Sequence, residues 1–183
     1  MTLYKKGDEY LRIEVDSDPE SPRDWDNLGE IATWHRRYIL GDIQPCSSPT
    51  EYIARLEKLP GMFILPVYLY DHSGLTISTT PFSCPWDSGK LGVVCAYAKR
   101  IKELGVPLAD VEERLRGEIQ AYNQYLQGDV YGFTRFKIMT CKTCGHEEEE
   151  DIDSCWGFFG GDFKASGLLE AAGIESLDGW EEQ

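Results

Sequence analysis

Met62–Thr80 reads MFILPVYLYDHSGLTISTT. Two apolar runs, 62–70 and 75–80, rich in aromatic and β-branched residues, flank Asp71-His72-Ser73-Gly74. That is the pattern of a β-hairpin. Pro66 falls inside the first run, and its missing N–H calls for an edge position or a bulge there. A hairpin is antiparallel by construction, so this stretch argues against a doubly wound parallel sheet.

Downstream, Pro81 to Gly89 is an irregular loop and Leu91 to Tyr97 a strand. Asp110 opens the best helix of the chain, with Val111, Leu115, Ile119, Tyr122 and Leu126 at helical spacing and Gly128 as its left-handed stop. Asp129–Thr140 reads as a long strand, Ser154–Phe159 as a short one, and Ser166–Ala172 as a short helix. Upstream, Glu9–Val15 alternates with the period of a strand, after which Asp16–Pro22 is a proline-marked loop. Asp24 or Asp26 is placed to cap a helix running to about Arg37, with Leu28, Ile31, Ala32 and Trp34 as its apolar positions. Ser48-Pro49-Thr50-Glu51 matches a capping box with proline at the first helical position. The expected fold is α+β: a mostly antiparallel sheet of five or six strands with about four helices. It is read as a single domain over 1–183, with a small zinc knuckle at 141–155 and an acidic tail at 173–183.

The longest apolar run, 62–70, is far short of the roughly 20 residues of a membrane span. Met1–Asp8 has no apolar stretch after its lysines and is not a signal peptide. A soluble, cytoplasmic protein is expected. Eighteen Lys and Arg against thirty-two Asp and Glu give a net charge of −14. Residues 1–30 carry −5, residues 31–140 carry +1, and residues 141–183 carry −10. Such a surface disfavours direct contact with nucleic acid, whose phosphates need cations. It favours a basic partner, including one that itself binds nucleic acid. The plainer reading of the charge is solubility.

Six cysteines stand at 46, 84, 95, 141, 144 and 155. Without a secretory signal, metal ligation or burial is a better reading than disulfides. Cys141-Lys142-Thr143-Cys144-Gly145-His146 is the sharpest local motif. Two thiolates separated by two residues grip one Zn²⁺, and the glycine lets backbone amides turn toward the sulfurs. Cys155 and His146 are the nearest further ligands, with Cys84, Cys46 or His72 as replacements for His146. No βαβ context supports a redox role, and an unmetallated reduced pair is the plainer alternative. Directly after this motif, Glu147, Glu148, Glu149, Glu150, Asp151 and Asp153 form an acidic run, read as an exposed loop that binds a partner.

Asp71-His72 and Cys84-Pro85-Trp86-Asp87 bring a thiol, an imidazole and carboxylates to adjacent loops, the ingredients of a cysteine-dependent hydrolase. Cys84 has no helix N-terminus to lower its pKa, so a rigid turn is favoured over catalysis. Arg36 and Arg37 fall at the expected helix end and are read as partners for the surplus acids rather than as a phosphate site. The glycine–aromatic stretches 128–133 and 154–160 read as packing with close backbone approach.

Taken together, His35-Arg36-Arg37-Tyr38 with Leu40-Gly41-Asp42, the 70–74 turn, Pro81–Gly89, Gly128–Phe133 and Ser154–Gly160 resemble a family of small phage- and prophage-encoded proteins, over about residues 24–162. By analogy of class, an acidic phage-type protein bearing zinc is similar to anti-CRISPR inhibitors of the type II RNA-guided nuclease. That nuclease holds its heteroduplex in a positively charged channel. The resemblance implies an acidic inhibitor that binds the nuclease and blocks DNA loading, without catalytic residues. The alternatives are the Cys84/His72 hydrolase and an antirestriction DNA mimic.

Overall fold

A computed structural model describes residues 1–183. The fold is α+β, with two antiparallel sheets and four helices. The strands are β1 (Thr2–Lys6), β2 (Glu9–Val15), β3 (Glu30–Thr33), β4 (Phe63–Asp71), β5 (Leu75–Ser78), β6 (Ser88–Ala96), β7 (Val130–Thr140), β8 (Glu147–Phe159) and β9 (Glu181–Glu182). The helices are α1 (Pro49–Leu56), α2 (Ala98–Glu103), α3 (Val111–Gln127) and α4 (Leu168–Ala171). No helix is long and apolar enough to cross a membrane. The chain forms two compact units: residues 21–127, and residues 1–20 with 128–183.

In the unit of residues 21–127 the sheet order is β3-β6-β4-β5. The hairpin of residues 62–80 is β4–β5, with Tyr68 opposite Ser78 and Asp71 opposite Leu75. β4 is nonetheless an inner strand. Pro66 is tolerated because β5 reaches only as far as Tyr68, and the β4–β6 ladder shifts register between Val67 and Tyr68. On β6, Val94 and Ala96 pack with Leu115 and Ile119 of α3, while Val93 and Cys95 pack with Tyr52 and Leu56 of α1. Buried on both faces, this strand reads as a nearly unbroken apolar run. The Ser48 capping box forms as expected, Ser48 Oγ accepting from Glu51 N and Glu51 Oε2 from Ser48 N.

The helix expected from Asp24 or Asp26 to Arg37 does not form. Pro22–Asp24 is a single 3₁₀ turn, and residues 30–33 are β3, paired with β6. Carboxylates far along the chain take the backbone donors that a helix would have used. Glu118 accepts from Leu28 N and Gly29 N at 2.7 and 2.9 Å, and Asp42 from Ile31 N at 2.6 Å. With its backbone satisfied, the segment buries Ile31, Ala32 and Thr33 in a sheet, and tertiary packing overrides the helical spacing.

The other unit has the sheet order β8-β7-β2-β1-β9. One face carries Leu11, Ile13 and Phe133, which pack with Leu168 and Leu169 of α4 and with Ala172 and Ile174. The stretch read as an acidic tail is docked: Leu177 and Trp180 lie against this core, and β9 pairs with β1. The acidic run, expected as a loop, is a strand. Residues 147–153 belong to β8 and pair along β7 from Thr140 to Arg135. Strand alternation distributes their charges between two faces, and the wet outer edge of β8 leaves them hydrated, which relieves the repulsion that a loop was expected to avoid.

Candidate functional site: an acidic ribbon with a cysteine tip

β7 pairs with β2 only from Tyr131 to Lys137. Beyond Lys137, β7 and β8 pair with each other alone and form a two-stranded ribbon. Its tip is the turn Cys141–His146, closed by Cys141 N–H to His146 O at 2.7 Å and Gly145 N–H to Cys141 O at 2.8 Å. Gly145 takes φ 72°, a left-handed conformation that favours glycine. The amides of Cys144 and Thr143, followed by the Cys144 thiol, hydrogen-bond the Cys141 sulfur and hold its pKa below the ordinary thiol value. Both cysteines are exposed.

Cys141 and Cys144 share the tip turn, and no third expected zinc ligand is gathered with them. Cys155 pairs with Phe133, seven residues along β7 from Thr140, or roughly 24 Å at strand rise. His146 meets Cys141 through its backbone carbonyl. No three His, Cys, Asp or Glu side chains are gathered to hold a metal ion. One chain therefore presents two thiol ligands at the tip, not the four-ligand set Cys141, Cys144, Cys155 and His146.

The electrostatics of the ribbon follow from where the basic side chains of its sheet go. Lys137 faces Glu150 across the ladder, yet its Nζ lies 3.1 Å from Asp8 and 3.7 Å from Glu9. Arg135 faces Asp153, yet it pairs with Glu9 at 3.3 Å and donates to Ala172 O at 2.7 Å. Only Arg12 reaches β8, at 2.5 Å from Glu149, with its guanidinium 4.5 Å from the centre of the Phe136 ring. Asp153 accepts from the Ser154 amide. The side chains of Glu147, Glu148, Glu150 and Asp151 make no hydrogen bond or ion pair within the chain. The unit of residues 1–20 and 128–183 carries seven basic and nineteen acidic residues, a net −12 of the total −14. Arg12, Asp8 and Glu9 escape a reading of sequence alone, because they lie more than a hundred positions from the strands they serve.

In the other unit the motif loops do meet. Arg37 pairs with Asp71 at 2.5 Å, in a loop rather than at a helix end, and Asp71 N–H donates to Asp87 O at 2.8 Å. His72 Nδ1 lies 3.4 Å from Asp87 Oδ2, and the Cys84 thiol donates to the same oxygen at 3.7 Å. His35, Arg37, Asp71, Trp86 and Asp87 line a cleft of about 240 Å³, with Trp86 91% exposed. Asp87 thus stands between the thiol and the imidazole. A thiol nucleophile needs the imidazole in that middle position, to take the proton from sulfur. Here Asp87 Oδ2 is the partner that the two side chains share. No family model, no curated protein and no solved structure matches the chain.

Proposed function

We propose that this protein acts by binding: it is an acidic inhibitor that works in the bacterial cytoplasm and covers the basic surface of a host nucleic-acid-binding protein. The partner that the resemblance implies is the type II RNA-guided nuclease, whose heteroduplex channel is positively charged. The observation that supports this reading is the diversion of Lys137 and Arg135 away from β8. It leaves Glu147, Glu148, Glu150 and Asp151 unneutralised on an exposed edge. A charged edge also deters strand-to-strand aggregation. Deterrence alone does not call for neighbouring cations to be engaged elsewhere.

The test is the association rate with the purified nuclease, at low and high salt, for the wild type and for a variant carrying Glu147→Gln, Glu148→Gln, Glu150→Gln and Asp151→Asn. None of these four side chains has an internal partner, so the variant keeps its fold. Rim charges chiefly set the on-rate and its salt dependence. The variant associates several-fold more slowly at low salt, and the gap closes as ionic strength rises. Equal rates at low salt, or no binding to the nuclease, overturn the reading.

A further inference from the structure

We propose that the cysteine tip is half of a metal site, completed by a second copy of this chain: Cys141 and Cys144 of two ribbons together hold one Zn²⁺ and link two protomers tip to tip. Structural zinc is almost always four-coordinate and tetrahedral, and four thiolates are a standard set. The tip meets half of that demand. The turn is closed by Cys141 N–H to His146 O and Gly145 N–H to Cys141 O, which holds both exposed cysteines together at the end of the ribbon. The chain does not meet the other half itself, because the β7–β8 register carries Cys155 roughly 24 Å down the ribbon.

Geometry makes the second copy a suitable donor. From Ile138 to Thr140 and from Glu147 to Glu149, the ribbon pairs with no third strand, and both cysteines are exposed at its end. Two such tips meet around a metal with little else in contact. An isologous pair of this kind closes on itself and stops at a dimer. The carboxylates of Glu147 and Glu148 oppose the approach of two tips. Salt screens that repulsion, so the dimer tightens as ionic strength rises. Binding to a basic partner weakens under the same change, so this site and the inhibitor reading stand or fall separately.

The experiment uses the full chain, purified under reducing conditions and titrated with zinc alone, with mass followed by sedimentation or light scattering. The expected result is a shift from the 20.8 kDa chain to twice that mass, saturating at one zinc per two chains. Cobalt in place of zinc gives the charge-transfer absorption of a tetrathiolate site. Cys141→Ser and Cys144→Ser each abolish the dimer while leaving the circular dichroism spectrum unchanged, since the tip lies outside the packed core. Cys155→Ser keeps both metal and dimer. A protein that stays monomeric at saturating zinc, binds one zinc per chain, or loses the site with Cys155→Ser overturns the proposal. A dimer that survives Cys141→Ser also overturns it.

Discussion

A Cβ on Gly132 would lie 2.0 Å from Cε3 of Trp156, so the indole occupies the space that any side chain at 132 needs. The two residues are ladder partners, and the register shifts beside them between Tyr131 and Gly132. Gly132→Ala therefore forces Trp156 off its site. The cost is about 1–3 kcal/mol, typical of overpacking. Urea unfolding followed by tryptophan fluorescence measures it, and Trp156→Ala in the same chain recovers part of the loss. A double mutant no more stable than Gly132→Ala alone would place the strain in the backbone instead.

Glu118 is the fastening point of residues 28 and 29. Its side chain is only 11% exposed, and it faces Arg23 at 3.8 Å besides the two amides it accepts from. Glu118→Ala leaves two amides unpaired, while Arg23 keeps its closer pair with Asp42 at 2.6 Å. The expected loss is about 1–3 kcal/mol, that of leaving buried donors unsatisfied. Thermal unfolding reads it, and Glu118→Gln, which keeps an acceptor, is expected to lose less.

The cysteines separate by pH. Burial, and then the nearby Glu30 carboxylate, push the Cys95 thiol up to about 12, while hydrogen-bonding amides pull Cys141 below its ordinary value. Native protein treated with iodoacetamide near neutral pH is labelled at Cys141 and spared at Cys95 until it unfolds. Linkage follows with a definite sign. Above pH 9 an unfolded Cys95 loses its proton while the folded one keeps it, so the native state binds more protons. Stability then falls as pH rises from about 9 to about 12. A Cys95→Ala variant lacks that component of the alkaline decline.

The Asp87 turn is expected to matter for stability and not for turnover. Cys84→Ala and His72→Ala lower the melting temperature modestly, and neither changes binding to the nuclease proposed as partner. Inhibition by the wild type at strongly substoichiometric amounts, abolished in Cys84→Ala, would revive the hydrolase.

The parts of the molecule legible in its sequence are those governed by local rules. The Ser48 capping box, the Val111–Tyr122 stripe, the Gly128 stop and the 62–80 hairpin each depend on residues within a few positions of one another. What sequence misses depends on distant partners. Leu28 to Thr33 has a helical spacing, and Glu118, Asp42 and the β6 ladder together make it extended. The run Glu147–Asp151 resembles a loop until the β7 ladder is known. The candidate site divides in the same way. The Cys141/Cys144 pair is evident from its two-residue spacing, whereas the separation of Cys155 follows only from strand register. The diversion of Lys137 toward Asp8 and Glu9 depends on β2 lying beside β7, which no local pattern announces.

The pairing of β2 with β7 also dictates an order of events as the chain folds. Leu11 and Arg135 sit side by side although 124 positions separate them. The intervening residues 21–127 hold a complete sheet of their own. If that sheet forms first, it draws Ser21 and Gln127 into one compact body and shortens the free loop that β2 and β7 must close, which lowers the entropic barrier. On a ribosome, β2 emerges early and waits without a central partner until Val130–Thr140 is made. Until then its free edge is open to pairing with other chains.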